Sequence, residues 1–493
     1  MLASSLSQRL MRPALLPTAA VTALCLVCFS AGVLPVPLRL AALALFALLT
    51  LAQPVGGLVS VILTAPLYLM PASFEGAGRT WLFPLHEIAL LITTAMVAGR
   101  WTIRWLQRGN LSAQQAWGRR ARATGAAYAP YALLALAGII GVTLAVPEGR
   151  GAALREFRWL IVEPLLFYAL VRAVGVSRML LVGALTLSGA WVATIGVLQF
   201  VGLDLTLLIG EKRAFSENII AVDGVRRVTS VYGHPNNLGL FLERVGSLAT
   251  AMALVWWIEE RSSSVTGSQS VASARVAPLF FAICASLSLA GVIVSFSRGA
   301  WLGSAVAATI IGVGWFLFRS RDRQAWRWSA LALIGVVIAA VIGLALTLRG
   351  GPGGGSVDAR LLLWRESLAY LQRHPLGLGL DQFYYYHNPA FGRSLIDPSL
   401  LGTSEEYAAH PHNLLLDAWI NIGPLGVLAF GWLLLRFYRN ALSALLDRCD
   451  LVALGALAAM TAALVHGLVD RFYFVPDLAI AFWALIAVAE REY

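Results

Sequence analysis

Two histidines stand two residues apart in His410-Pro411-His412-Asn413, where a polar stretch gives way to an apolar run that begins at Leu414. Imidazole is the side chain that takes up and releases protons near neutral pH. At such a boundary it stands at a membrane surface rather than in lipid, a position suited to chemistry on lipid-linked substrates. Arginines occupy comparable boundaries: Arg298 in Ser295-Phe296-Ser297-Arg298-Gly299, Arg155 and Arg158 at the start of another apolar run, and Arg360 in Asp358-Ala359-Arg360 with Trp364 four residues on. A guanidinium keeps its charge there, and its planar fork grips phosphate oxygens two at a time. The chain thus offers one proton acceptor and several anion ligands.

The spacing around the histidines is specific. His412-Asn413 is followed by nine residues, Gly423, two more residues and Gly426. This arrangement resembles the signature of the O-antigen ligase and Wzy-type polymerase superfamily, integral membrane glycosyltransferases that use undecaprenyl-pyrophosphate glycans. The Ser-x-Ser-Arg-Gly element, the Asp358-Ala-Arg360-x-x-x-Trp364 element and His374-Pro-x-Gly-x-Gly379 are similar to further parts of the same pattern, so the likeness covers about residues 290–430. It implies His412 as general base or acceptor-orienting group, pyrophosphate ligation by Arg298, Arg158 and Arg360, and no metal or other cofactor. His234 and Asn413 join the expected substrate-binding set. The implied partners are an undecaprenyl-pyrophosphate-linked glycan, an acceptor and the bilayer, with no nucleic acid; the acceptor is a second lipid-linked glycan, a lipid A core or a protein hydroxyl.

Each of these residues has a plainer reading. His412 also fits a structural interfacial histidine, Arg298 a snorkelling anchor, Arg158 a helix-end anchor, and His234 with Asn236 and Asn237 a helix cap. A zinc site on His410 and His412 lacks a third ligand in the sequence. From another class, a secondary transporter or flippase remains the alternative; such proteins show repeated halves and broken helices, and no repeat is evident here.

Composition sets the frame. Of 493 residues, 59% are hydrophobic and 13% charged, against about 25% charged in soluble domains; mean hydropathy is +0.75. The expected fold is an all-α polytopic integral membrane protein with about 12–14 transmembrane helices and a helical outer-face loop subdomain. Candidate spans cover 14–34, 37–52, 55–70, 81–99, 128–146, 157–175, 179–201, 236–258, 277–295, 299–318, 328–348, 413–437, 451–469 and 472–489. The first is read as a retained helix rather than a signal. The four cysteines, Cys25, Cys28, Cys284 and Cys449, suggest no disulfide framework.

The net charge of +11 gathers in short loops. Segments 100–127 and 319–327 are arginine-rich and therefore cytoplasmic. That choice puts both termini inside and 147–156, 202–235 and 349–412 outside, in a multi-pass bacterial cytoplasmic membrane protein with its site on the outer face. Four units follow: N-terminal spans 1–127, central spans 128–348 with the mixed-charge loop 202–235, an outer subdomain 349–412, and C-terminal spans 413–493. Within the subdomain, 350–356 reads as a hinge, and 357–373 as a helix with Leu361, Trp364, Leu368 and Leu371 on one face. Glu243, Arg244, His86, Glu87, Glu163 and Asp417 fall at membrane depth and should face the protein interior.

Overall fold

A computed structural model describes residues 15–30, 34–76, 78–108, 125–205, 226–264, 276–320, 355–403 and 405–490. The helices are α1 (Leu15–Ser30), α2 (Val36–Ala52), α3 (Pro54–Thr64), α4 (Leu85–Arg108), α5 (Gly125–Thr143), α6 (Arg150–Phe157), α7 (Glu163–Val174), α8 (Arg178–Phe200), α9 (Pro235–Ser264), α10 (Val276–Val294), α11 (Arg298–Ser320), α12 (Gly355–Arg373), α13 (Phe383–His387), α14 (Leu414–Arg448), α15 (Leu451–Gly467) and α16 (Pro476–Ala489). The fold is an all-α polytopic membrane protein. Among the described residues, five helices are long and apolar enough to cross a bilayer, namely α8, α10, α14 and the stretches Pro235–Trp256 and Arg298–Phe316; further apolar helices there are shorter. The expected span 328–348 and the hinge at 350–354 lie outside the described residues.

The bundle closes around α16. Every residue from Pro476 to Ala489 is buried, as an all-round apolar helix demands. Helix starts follow local chemistry: Ser177 accepts from the Leu180 amide and opens α8, while Asp450 accepts from Val452 and Ala453 and opens α15. The charged residues at membrane depth do turn inward. Glu87, Glu163, Glu243, Arg244, His86 and Asp417 are each at most 3% exposed, which spares them the cost of lipid.

Two expectations need correction. The span expected to start at residue 81 begins at Leu85, and Ala72–Gly76 pairs antiparallel with Arg79–Phe83 as a hairpin (β1 and β2). Pro84 bars helical backbone in the residue before it, and Thr80, Trp81 and Phe83 favour strand. In α12 the buried face runs through Ala359, Leu363, Glu366, Ser367, Tyr370 and Leu371, whereas Leu368 is 52% exposed. The face is turned because its polar members are satisfied inside: Tyr370 Oη and His387 Nδ1 each lie 2.9 Å from Glu366 carboxylate oxygens, and Ser367 Oγ donates to Leu363 O at 2.6 Å.

One break in α14 holds the segment after α12 in place. Gly423 adopts φ 67° and ψ −175°, and Pro424 follows. Proline has no N–H, so the carbonyl four residues back loses its helical partner. That carbonyl, Ile420 O, accepts from Leu378 N at 2.9 Å and Gly379 N at 3.1 Å, and Trp419 Nε1 donates to Pro375 O at 2.9 Å. The His374–Gly379 turn thus fills the gap left by the kink. Its glycines are required: a Cβ on Gly377 (φ 95°) would sit 2.6 Å from Trp419 O, and one on Gly423 would sit 2.4 Å from Leu376 O. Gly377→Ala is expected to cost about 1–3 kcal/mol, seen as a lower thermal midpoint in detergent; an unchanged midpoint would refute this docking.

Candidate functional site

The polar loop that ends at Asn413 is pinned on several sides. Asn413 caps α14, its Oδ1 accepting from Leu415 N (3.0 Å) and Leu416 N (3.2 Å) while its Nδ2 donates to Leu468 O (3.0 Å). His412 is held in left-handed backbone, φ 51°, a conformation uncommon outside glycine. Its carbonyl accepts from Trp364 Nε1 of α12 at 3.3 Å. The imidazole lies between two carboxylates, with Nδ1 3.4 Å from Asp470 Oδ1 and Nε2 3.5 Å from Glu405 Oε2. Burial works against its charge, but the hydrogen bonds to Asp470 and Glu405 prevail and push its pKa up to about 9. The same contact with His412 holds Glu405 below the usual carboxylate range. Glu405 is itself fixed through its backbone, because its carbonyl meets His387 Nε2 at 2.8 Å.

Asp470 joins these parts. It is 2% exposed; Oδ1 accepts from Arg471 N at 2.8 Å and also faces His410 Nε2 at 3.6 Å, while Oδ2 accepts from Asn236 Nδ2 at 2.7 Å. Burial alone would raise its pKa, yet the two histidines hold it well below the usual value. Asn236 then accepts from Arg227 Nη2 at 3.1 Å, and its N–H donates to His234 Nδ1 at 3.1 Å. His234 thus sits at the start of α9 as a capping group, as its plainer reading anticipated.

Arg227 leads to the second part of the site, an array of guanidinium groups. Its Nε donates to Ser295 O at 3.2 Å. The turn after Ser295 passes through Phe296 at φ 49° and delivers Arg298, exposed, as the first residue of α11. Arg227 has its pKa lowered first by burial and then by the positive charges of Arg298 and Arg360. Arg298 and Arg360 are therefore each close enough to Arg227 to oppose its charge. Neither Arg298 nor Arg360 has an ion-pair partner among the described residues, although Asp470 acts on Arg227 and Arg360 acts on Glu405.

Residues 283–431 match the model of the O-antigen ligase family. That stretch is similar to the O-antigen ligase family. No curated protein matches the chain. The matched stretch contains Arg298, Arg360, Glu405, His410 and His412, whereas Arg227, Asn236 and Asp470 lie outside it in the sequence.

Arg158 already has partners. Beside the π-turn Arg158–Val162 its Nη2 is 3.1 Å from Glu87 Oε2 and its Nε 3.5 Å from Glu163 Oε1, with Phe83 and Trp159 against the guanidinium. Its charge is already answered by two carboxylates of the bundle. Its neighbour Arg155 reaches Asp381 at 3.1 Å, one residue on from the docked His374–Leu380 turn.

His410, His412 and Asp470 each offer a ligand atom within 4.8 Å of the others, so the third ligand that the sequence lacked exists in space. The chemistry around them argues against a cation. Asp470 already accepts from Arg471 and Asn236, the two imidazole rings pack at 4.1 Å between centroids, and Arg227 lies one side chain away.

Asp470, Asn236, Arg227 and Glu405 were not singled out by sequence as site residues. Asp470 belongs to no local motif, and its burial is what reveals it. An acidic residue in so short and apolar a turn was the available signal.

Replacing Asp470 by Asn is expected to return the His412 pKa from about 9 toward the usual value near 6.5. Diethyl pyrocarbonate attacks only neutral imidazole, so mass spectrometry of the peptide containing His412 reads this directly. The modification rate should titrate at lower pH in the variant; identical profiles would mean that Asp470 does not hold the proton.

Proposed function

We propose that this protein is a membrane glycosyltransferase that moves a glycan from undecaprenyl pyrophosphate to an acceptor hydroxyl on the outer face of the bacterial cytoplasmic membrane. One observation carries this reading: a carboxylate-clamped histidine is linked through Asp470 and Asn236 to Arg227, whose charge Arg298 and Arg360 also feel. A proton acceptor beside a group of arginines is what glycosyl transfer from a polyprenyl pyrophosphate requires.

In this mechanism the acceptor hydroxyl oxygen forms a bond to the anomeric carbon as the bond from that carbon to the pyrophosphate oxygen breaks, which inverts the centre. The hydroxyl proton passes to neutral His412. The imidazolium formed is stabilised by Asp470, and by Glu405 across 3.5 Å. The electron pair leaves with undecaprenyl pyrophosphate, whose growing charge Arg227, Arg298 and Arg360 receive. Asn413, with both ends of its amide engaged, and His234 position these groups. Arg158, already paired, shapes the neighbouring wall. The step needs no metal. A second lipid-linked glycan, a lipid A core and a protein hydroxyl all remain chemically suitable acceptors.

The test is to incubate the purified protein with an undecaprenyl-pyrophosphate oligosaccharide, alone and then with lipid A core, and to follow products by gel and mass spectrometry. A ladder from the donor alone means polymerase; a single addition only with core means ligase. His412→Ala should lower the rate about 10²–10⁴-fold, and equal product from both proteins would remove His412 from the mechanism. Because a base must be unprotonated, the wild-type rate should rise with pH and level off near the histidine pKa of about 9. A rate that falls over that range would make His412 an acid instead.

A further inference from the structure

Beneath the arginine array lies a buried polar chain that the mechanism above does not use. Ser297 Oγ is 3.4 Å from His466 Nε2, and His466 Nδ1 is 3.2 Å from Glu243 Oε2. All three side chains belong to residues at most 2% exposed, so substrate does not reach them. Each comes from a different helix: Glu243 from α9, His466 from α15, and Ser297 from the turn that starts α11, where its Oγ also accepts from Ala300 N at 3.5 Å.

The packing around this chain is selective. Gly299 and Gly303 form one face of α11, and the added Cβ of an alanine would lie 2.2 Å from His466 Cδ2 at the first and 2.5 Å from Glu243 Oε2 at the second. The imidazole and the carboxylate thus lie directly against the α11 backbone. The same three helix ends carry site residues. Asn236 stands about two turns above Glu243 on α9, Asp470 about one turn beyond His466, and Arg298 follows Ser297 in the chain.

We propose that Glu243, His466 and Ser297 form a positioning brace that fixes the start of α11, and with it the Arg298 guanidinium, in the diphosphate-binding array. The proposal rests on the anion-binding role given to Arg298 above. The brace acts through that arginine and touches neither donor nor acceptor. Because Arg298 has no ion-pair partner among the described residues, its backbone anchor is what sets its direction.

Undecaprenyl diphosphate without sugar serves as the probe, with binding to the full detergent-solubilised chain measured by thermophoresis. Arg298→Ala should weaken binding. His466→Ala should weaken it about tenfold, the loss of one well-placed hydrogen bond and the order it imposes, while His466→Gln, which still reaches Ser297, should restore most of it. In the Arg298→Ala background, His466→Ala should add less than about twofold, since both act on one contact. Wild-type affinity in His466→Ala, or a tenfold loss that persists without Arg298, overturns the brace. Unchanged affinity in Arg298→Ala instead overturns the anion-site reading on which it rests. Circular dichroism and thermal melting check folding; should His466→Ala not fold, the isosteric Glu243→Gln takes its place with the same outcomes.

Discussion

A carboxylate that is 2% exposed is stable only when donors surround it, and Asp470 has three within 3.4 Å with the His410 ring 3.6 Å away. It meets the backbone of Arg471, the amide of Asn236 and the rings of His410 and His412. Removing any one donor would leave part of a buried charge uncompensated, which costs several kcal/mol. The positions of α9, of the loop before α14 and of the turn after α15 are therefore coupled. The same carboxylate sets the protonation of His412, so structure and reactivity depend on one group.

What sequence could and could not reveal follows from distance along the chain. His412, Arg298 and Arg360 were legible because local spacing carries them, and the helices were legible from apolar length. Asp470 lies 58 residues from His412 and 234 from Asn236, and no local pattern joins them. Arg227 was hidden for another reason: its loop holds as many acids as bases, so its charge looked balanced, whereas in space it faces two more arginines. Arg158 shows the converse. An arginine at a helix end looks the same whether it awaits an anion or already has one, and here Glu87 and Glu163 supply it.

Glycine and proline settle the remaining points of contact between elements. Along the Ser295–Gly303 segment the residue types divide the roles among them. Ser295 accepts Arg227, Ser297 caps α11, Arg298 faces outward, and two glycines admit His466 and Glu243. The His374–Gly379 turn is the same kind of solution at the kink in α14. Both segments bring backbones or polar side chains together more closely than any Cβ would permit.

The kink in α14 has a consequence for depth. Its 35 residues divide at Gly423, and the part after Pro424 runs about 37 Å at 1.5 Å per residue, enough for a hydrocarbon layer of about 30 Å. The shorter part, which begins beside His412, is held by the His374–Gly379 turn instead. One helix thus divides into a stretch long enough to span hydrocarbon and a stretch whose placement the turn sets, like a plumb line hung from a bracket. Bilayer thickness and site geometry become separate variables, and only the first changes from one membrane to another.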